Sequence, residues 1–280
     1  MAPMPELPEV EVCRRGLQPE LEGALILGVA IRAPKLRHVI PPELLELLPG
    51  CRIDAVRRRG KYLLIDCRRD GGEGSLIVHL GMSGNLRFVP PDLPPAKHDH
   101  FELVLAGQIL RLADPRRFGV VLWQPGPPEE AENHPLLASQ GLEPLSDAFT
   151  ADWLYQAAAR RSGPIKPVLM DSHLVVGIGN IYASESLFRA GISPLRAANR
   201  IARARYELLV PAIRETLSAA IAAGGSSIRD YVHSDGGAGC FQIQAAVYDR
   251  DGQPCVRCQG QVKQVRQAGR STYYCPLCQH

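Results

Sequence analysis

The sequence predicts a multidomain α+β protein: an N-terminal antiparallel β-sandwich, then a helical domain, then a short cysteine-rich hairpin. Three observations support this order. Residues 1–124 carry short apolar runs, rich in Val, Ile and Leu and bounded by Gly and Pro, which is typical of antiparallel sheets. Residues 151–242 change to a helical period, and residues 243–280 contain two closely spaced cysteine pairs. The stretch 125–150 is rich in Pro and acidic residues and is predicted to be an exposed linker.

The β domain is predicted to begin with a short helix, Leu7 to Leu17, followed by eight strands. Apolar and polar residues partly alternate in these runs, as expected for strands with one buried face. The predicted strands lie in the segments ALILGVAIRA, CRIDAVRRR, KYLLIDC, SLIVHLGMSG, NLRFVP, HFELVLAG, QILRLAD and GVVLWQ.

The helical domain is predicted to contain five helices, at residues 151–160, 166–175, 180–190, 201–223 and 226–233. Asn199 precedes the long fourth helix and is expected to cap its start. The pair Gly224-Gly225 is expected to end it, because glycine readily adopts the conformation that follows a helix.

The composition is that of an ordinary globular protein, with 45% apolar and 22% charged residues, which excludes wholesale disorder. No apolar run reaches the roughly 18 residues of a membrane helix, and no signal peptide is visible. We therefore expect a cytoplasmic protein.

The net charge is only +3, but the charges are unevenly distributed. Residues 156–206 contain eight Arg or Lys and two acidic residues, whereas residues 124–153 contain six acidic residues and no Arg or Lys. A third basic cluster is Arg57-Arg58-Arg59 with Lys61. Basic patches on a nearly neutral chain suit a polyanion, although solvated surfaces explain the charges equally well.

Four of the eight cysteines follow the pattern C-x2-C-x16-C-x2-C. Two residues between paired cysteines allow both thiolates to reach one tetrahedral ion, and the intervening stretch is long enough for a β-hairpin. A closed set of four cysteines leaves no open coordination position, so we predict one structural Zn²⁺. An iron centre or a redox pair is the alternative. The predicted ligands are Cys255, Cys258, Cys275 and Cys278.

The segment Met4-Pro5-Glu6 contains a candidate nucleophile and a candidate acid side by side. A proline exposed by removal of an initiator methionine is a secondary amine with a pKa of about 8. Its attack on a sugar C1′ would give an iminium cation, which acidifies C2′ and allows elimination of the 3′ phosphate. Glu6 is the adjacent candidate for the acid that opens the sugar ring. The alternative is that Pro5 and Pro8 only frame the start of a helix.

Taken together, the motifs resemble those of the formamidopyrimidine-DNA glycosylases, a family of bacterial base-excision repair enzymes also called Fpg or MutM. The resemblance runs from Met4 to His280 in order. It rests on PELPEVE followed by RRG, and on RRGKYLL, HLGMSG, KHDHFEL, DPRRFG, VVGIGNIYASE and the four-cysteine tail.

The resemblance implies a bifunctional DNA glycosylase and AP lyase. Such an enzyme excises oxidised purines (8-oxoguanine, formamidopyrimidines) from duplex DNA through a Schiff base on its N-terminal proline, and then cleaves the strand by β,δ-elimination. The resemblance implies that Pro5 is the nucleophile, Glu6 the acid and Lys61 the active-site lysine. Arg270 matches the arginine of the zinc hairpin that is assigned to the second elimination. Ala268-Gly269 is a plausible hairpin turn beside it.

The resemblance also implies a DNA interface. Met82, Arg116 and Phe118 match the residues that fill the hole left by a flipped base: a flexible thioether, a planar cation able to pair with the orphan cytosine, and a wedging ring. His98 and Arg161 match positions that contact DNA, and Asn180 matches the phosphate-binding asparagine of a helix-two-turns-helix domain. A loop at 224–242 would close over the flipped base. The expected partner is double-stranded damaged DNA, so the cytoplasmic protein would be associated with the nucleoid when it is on DNA, and the expected state is a monomer.

One departure leaves alternatives open. The sequence reads Met-Ala-Pro before Met4-Pro5-Glu6, and an extended N-terminus would bury the Pro5 nitrogen in an amide, which is not a useful nucleophile. The chain is then either an active glycosylase/lyase that starts at Pro5 after processing or a catalytically silent DNA-damage-binding relative. A zinc-ribbon protein that binds RNA or protein is a third hypothesis, but it gives no reason for Pro5, Glu6, Lys61 and Arg270 to occur together.

Overall fold

The computed structural model describes residues 4–225 and 245–280. The described chain divides into two compact units. The first contains residues 4–139 with Gly224 and Gly225, and the second contains residues 140–223 and 245–280. No helix in these described ranges has the length and apolar character needed to span a membrane.

The described residues of the first unit form eight strands, and each strand overlaps one of the eight predicted segments. Helix α1 (Leu7–Leu21) comes first, and the short helix α2 (Leu44–Leu47) lies between the first two strands. The strands are β1 (Gly28–Ile31), β2 (Arg52–Arg59), β3 (Tyr62–Arg69), β4 (Gly72–His79), β5 (Asn85–Val89), β6 (Asp99–Leu105), β7 (Gln108–Ala113) and β8 (Val120–Pro125).

These strands form two four-stranded sheets, with the orders β1-β6-β7-β5 and β2-β3-β4-β8. Every neighbouring pair is antiparallel. The apolar sides of both sheets share one core, which confirms the predicted β-sandwich. Its members include Ile53, Leu63, Leu76, Phe101, Leu103 and Leu112.

Helix α1 is held at its start by a capping box. The backbone N–H of Glu6 donates to the Glu9 carboxylate at 2.8 Å, and Pro8 occupies the first turn, where a missing N–H costs nothing. The helix extends one turn beyond the predicted end at Leu17. Leu17 and Leu21 both lie in the sandwich core, and this burial outweighs the hydrogen bond lost at Pro19.

Part of the segment predicted as an exposed linker is packed. A 3₁₀ helix spans Pro128–Asn133 and α3 spans Pro135–Ala138. Ala131 and Leu137 are buried against Leu64 and Ile77. They lie on the side of the four-stranded sheet β2-β3-β4-β8 that faces away from the sandwich core. The sequence signal from Pro and acidic residues did not reveal these two apolar contacts.

The second unit contains four helices and a hairpin in its described residues: α4 (Ala151–Ala159), α5 (Ile165–Leu169), α6 (Asn180–Arg189), α7 (Arg203–Ala222), β9 (Lys263–Gln267) and β10 (Arg270–Tyr274). Four predicted helices correspond to α4–α7, and the fifth, at 226–233, lies outside the described residues. Helix α5 is shorter than predicted. The chain leaves it at Met170 and turns at Asp171, whose carbonyl accepts from Leu174 and Val175.

The cap predicted for the long helix was wrong. Asn199 lies in a 3₁₀ turn, Ala198–Arg200, and α7 begins later, with Ala202 at its N-cap. Its predicted end is confirmed, since Gly224 and Gly225 both have positive φ. Helices α4, α6 and α7 share a core with Tyr182, Leu187, Tyr206, Leu209 and Ile213 buried in it.

Candidate functional site

The start of the first unit places Pro5 and Glu6 together at the N-terminus of α1. Pro5 is buried, and Glu6 is only 3% exposed. The capping box with Glu9 fixes the backbone at Glu6. The predicted nucleophile and its neighbouring acid therefore lie directly before the first turn of a capped helix.

Lys61 lies in the two-residue turn that joins β2 to β3, where Arg59 pairs with Tyr62. Gly60 has a φ of +57°, a conformation that favours glycine, so the turn places the lysine at a defined point. Lys61 is half-buried, and its charge helps to lower the pKa of His79.

His79 was not predicted as a site residue, although it belongs to the HLGMSG motif. Its ring packs on Tyr62 with centroids 4.6 Å apart, and its Nδ1 accepts from the backbone N–H of Gly81 at 2.9 Å. Burial lowers the pKa of His79 to about 3, with a further contribution from the charges of Lys61 and Arg37. His79 is therefore neutral at physiological pH, with its proton on Nε2.

The three residues predicted to fill a base vacancy lie on two adjoining turns. Met82 is half-buried in the turn after β4, which we call the Met82 turn (residues 80–84). Arg116 and Phe118 are exposed in the loop between β7 and β8, which we call the Phe118 loop (residues 114–119). The Arg116 guanidinium carbon lies 4.9 Å from the Phe118 ring centroid, so these two side chains already stack as a cation–π pair.

Gly81 shows how closely the two turns approach. A Cβ on Gly81 would lie 2.4 Å from the backbone carbonyl carbon of Phe118, and φ at Gly81 is +64°. Only glycine fits this position, so the structure brings Met82, Arg116 and Phe118 into one surface region. His98 is also exposed in this unit, immediately before β6.

In the second unit, Asn180 and Arg270 line one pocket of about 240 Å³. Asn180 is the first residue of α6, where backbone N–H groups point outward and favour an anion. Arg270 is exposed at the start of β10, after the turn Ala268-Gly269. Both turn residues have positive φ, 45° and 77°, which confirms the predicted hairpin turn. The pocket thus combines a helix N-terminus with a guanidinium.

Lys166 also lines this pocket and was not predicted. It is 1% exposed, and its Nζ donates to Asn180 Oδ1 at 2.7 Å, to Thr272 Oγ1 at 2.8 Å and to the Ser271 carbonyl at 3.1 Å. These bonds join α5, α6 and β10 and fix the Asn180 amide. No local pattern could reveal them, because Ser271 is more than 100 positions away.

Arg161, another predicted DNA contact, pairs with Asp171 at 2.6 Å and does not line this pocket. Burial alone would raise the pKa of the Asp171 carboxyl, but the hydrogen bonds from Arg161 and from the His173 backbone N–H, together with the Arg161 charge, outweigh it and lower the pKa. About a third of the Arg161 side chain remains exposed, so it is accessible to an anion.

The four predicted metal ligands form one cluster in the second unit. Their sulfur atoms all lie within 4.8 Å of one another, with Cys255 to Cys278 at 3.9 Å and Cys258 to Cys275 at 3.5 Å. Four thiolates around a tetrahedral Zn²⁺ would be about 3.8 Å apart, given a Zn–S distance of about 2.3 Å. The donor set and its spacing therefore fit zinc.

Comparison with protein families covers most of the chain. Residues 4–121 match the model of the formamidopyrimidine-DNA glycosylase N-terminal domain, and residues 140–232 match that of the helix-two-turns-helix (H2TH) domain of the same enzyme. Residues 252–280 match the zinc finger found in FPG and IleRS. Together with the cysteine cluster, this match identifies a finger that holds one structural zinc ion.

Relatives and solved structures agree with the family match. The formamidopyrimidine-DNA glycosylase of Dechloromonas aromatica is 83% identical over 277 residues, covering 99% of this chain and all of that protein, and that of Janthinobacterium sp. is 53% identical over 276 residues with the same coverage. The Lactococcus lactis Fpg in complex with abasic-site DNA has a TM-score of 0.88 at 34% identity, covering 98% of this chain and 99% of that one. Thermus thermophilus MutM (Fpg) has a TM-score of 0.86 at 40% identity, covering 98% of each chain. The chain belongs to the formamidopyrimidine-DNA glycosylase family.

Proposed function

We propose that this protein is a DNA glycosylase for damaged DNA that excises oxidised purines, 8-oxoguanine and formamidopyrimidines, and then cleaves the strand as an AP lyase. The observation that carries the proposal is the Pro5-Glu6 pair, buried and fixed at the start of α1, in a unit that matches the family's N-terminal domain. The relatives are named formamidopyrimidine-DNA glycosylases. One matching Lactococcus lactis structure contains Fapy-dG DNA.

In the proposed reaction, the Pro5 nitrogen attacks C1′ of the damaged nucleotide and the base leaves with the bonding electrons and a proton. Glu6 protonates O4′ as the sugar ring opens, which yields an iminium between Pro5 and C1′. The iminium draws electrons from C2′, which loses a proton as the 3′ phosphate departs. Lys61 is proposed to hold and protonate groups on the lesion side. The amine must be free, and the family match begins at Met4, so a chain that lacks residues 1–4 would expose it.

The surface formed by the Met82 turn and the Phe118 loop is proposed to fill the space that the flipped base leaves. Phe118 is 43% exposed despite its apolar ring, and Arg116 is stacked on it with its polar edge available to the orphan cytosine. An exposed aromatic ring beside a flexible thioether suits intercalation between base pairs.

The pocket of the second unit is proposed to bind backbone phosphates. Asn180 at a helix N-terminus and Arg270 on the zinc-held hairpin supply an amide and a guanidinium for this purpose. Arg270 is further proposed to assist the second elimination, and Arg161 and His98 to contact DNA. The partner is double-stranded damaged DNA, bound by a monomer.

The test is borohydride trapping on a duplex that contains 8-oxoguanine opposite cytosine. Two preparations are compared, one that begins at Pro5 and one that retains Ala2-Pro3-Met4. We expect a covalent adduct only from the shorter form, mapped to Pro5. An adduct from both forms on a lysine or on Ala2 would contradict the assignment of the nucleophile. No adduct from either form, with binding to damaged DNA intact, would instead support a catalytically silent relative.

A further inference from the structure

A buried carboxylate joins the Met82 turn to the Phe118 loop. Asp114 is fully buried. Its Oδ1 accepts from the Ser83 hydroxyl at 2.6 Å, and its Oδ2 accepts from the backbone N–H of Gly119 at 2.7 Å. Ser83 lies 31 residues earlier in the chain, so this one side chain connects two separate segments. It also ties the last residue of the Phe118 loop to the first.

Ser83 completes the connection in the other direction. Its hydroxyl oxygen accepts from the backbone N–H of Arg116 at 3.1 Å while its proton is donated to Asp114. The Ser83 hydroxyl therefore bonds to both Asp114 and Arg116 of the Phe118 loop. The turn around Ser83 is itself closed by the bond from Gly84 N–H to the Leu80 carbonyl at 2.7 Å.

The contact between the two segments is also sterically tight. A Cβ on Gly119 would lie 3.0 Å from Asp114 Oδ2 and 3.0 Å from the His79 carbonyl oxygen. Gly81 lies against the backbone of Phe118. Two glycines and two hydrogen-bonded side chains thus leave little freedom for one turn to move without the other.

We propose that Ser83 and Asp114 are positioning residues that make the Met82 turn and the Phe118 loop a single rigid wedge, so that Met82, Arg116 and Phe118 enter the duplex together. This inference rests on the proposed void-filling role of those three residues. Ordering the two segments before DNA binds removes an entropic cost from the step in which the base is extruded. The chemical step at Pro5 does not depend on this wedge.

The test variant is Ser83→Ala, which removes both hydrogen bonds of the hydroxyl. Ser83→Thr retains the hydroxyl and is the rescue variant. Ser75→Ala is a matched control because the Ser75 hydroxyl, also in the first unit, donates to the buried Asp66 carboxylate at the same 2.6 Å but lies on strand β4, away from both turns. Thermal unfolding shows whether the two alanine variants are equally folded.

The readouts are stopped-flow fluorescence of 2-aminopurine beside an 8-oxoguanine opposite cytosine, and single-turnover cleavage of a preformed abasic site. We expect Ser83→Ala to slow the fluorescence change and lesion excision by about tenfold, with abasic-site cleavage within about twofold of wild type. Ser83→Thr should recover most of the opening rate, and Ser75→Ala should change neither. Equal loss in both assays for Ser83→Ala, or the same behaviour as Ser75→Ala, would overturn the inference.

Met82→Ala and Phe118→Ala separate this inference from the proposed function. If neither changes the opening rate, the void-filling role itself is wrong. If they slow opening while Ser83→Ala does not, that role stands and the positioning role of Ser83 fails. In the Phe118→Ala background, the added effect of Ser83→Ala should fall to about threefold or less, because there is less left to position.

Discussion

At the scale of single residues, His79 is a neutral ring that accepts a hydrogen bond from the backbone. It is 8% exposed, and its unprotonated Nδ1 accepts from Gly81, the glycine at which the Met82 turn contacts the Phe118 loop. Protonation would remove this acceptor and place a cation near Lys61 and Arg37. Burial, followed by these two charges, lowers the pKa of His79 to about 3. The protein therefore keeps this hydrogen bond throughout the physiological range.

The same shift makes a prediction about stability and pH. In the unfolded chain His79 titrates near 6.5, so between pH 6.5 and about 3 the unfolded state binds a proton that the folded state does not. Its contribution to stability is thus fully present above pH 6.5 and is lost as the pH falls, by up to about 1.4 kcal/mol per pH unit. We expect His79→Asn, whose side-chain oxygen can replace Nδ1 as acceptor, to have a shallower loss of stability on acidification.

The measurement is urea unfolding at pH 7 and pH 5, followed by fluorescence. The chain has two tryptophans, and a Trp153→Phe background leaves Trp123 of strand β8 as the reporter of the first unit. His98→Asn removes an exposed histidine from the same unit. Its free energy of unfolding should change with pH as much as that of the parent protein does. If the free energies of unfolding of His79→Asn and of the parent fall equally between pH 7 and pH 5, His79 is not buried in its neutral form.

At the scale of elements, the β9–β10 hairpin depends on its metal. Each strand has five residues, and a two-stranded hairpin alone is marginally stable in water. The described apolar contacts around it form a small core with few members, including Phe188, Val262 and Tyr273. The zinc site joins the segments on both sides of the hairpin, so metal binding supplies much of the free energy that folds it.

Removal of zinc should therefore release the hairpin selectively. We expect chelation to increase amide hydrogen exchange in residues 263–274 by at least about 100-fold, because the hairpin loses its main constraint. The amides of β2 and β3 in the first unit serve as an internal control and should keep their protection. Added Zn²⁺ should restore the protection of the hairpin and the affinity for abasic-site DNA. A hairpin that stays protected without metal would contradict this account of its stability.

At the scale of the whole molecule, the sequence predicted those features that depend on local patterns. The eight strands follow from short apolar runs that end at glycine or proline, and the zinc ligands follow from the spacing of two cysteine pairs. Both are encoded within a few tens of residues. The β-sandwich, the helical unit and the hairpin were therefore predictable in order.

Features that depend on distant contacts were not predictable. The bonds of Ser83 to Asp114 and of Lys166 to Thr272 connect residues 31 and 106 positions apart, and no periodicity reports them. The predicted start of helix α7 was wrong for a related reason. Asn199 has the residue type of an N-cap, but tertiary packing gave it a 3₁₀ turn instead. Lys61 was assigned to the active site only through family resemblance, since a lysine in a basic cluster is not distinctive in isolation, whereas Glu6 was already a candidate because it follows Pro5 directly.

The uneven charge of the whole chain leads to a last prediction, about salt. If the proposed contacts neutralise about four phosphates, log affinity should fall with log salt at a slope near −3.6, which is about a 150-fold loss between 50 and 200 mM. Arg270→Gln should reduce that slope by about 0.9, measured by fluorescence anisotropy on a duplex with a non-cleavable abasic analogue. Arg68→Gln removes the same charge from an arginine that is exposed and paired with Asp54 at 2.9 Å, and it should leave the slope unchanged. Equal slopes for Arg270→Gln and wild type would exclude Arg270 as a phosphate contact. The net charge of +3 acts on DNA at long range, and both substitutions lower it equally. Arg68→Gln therefore controls for this long-range effect.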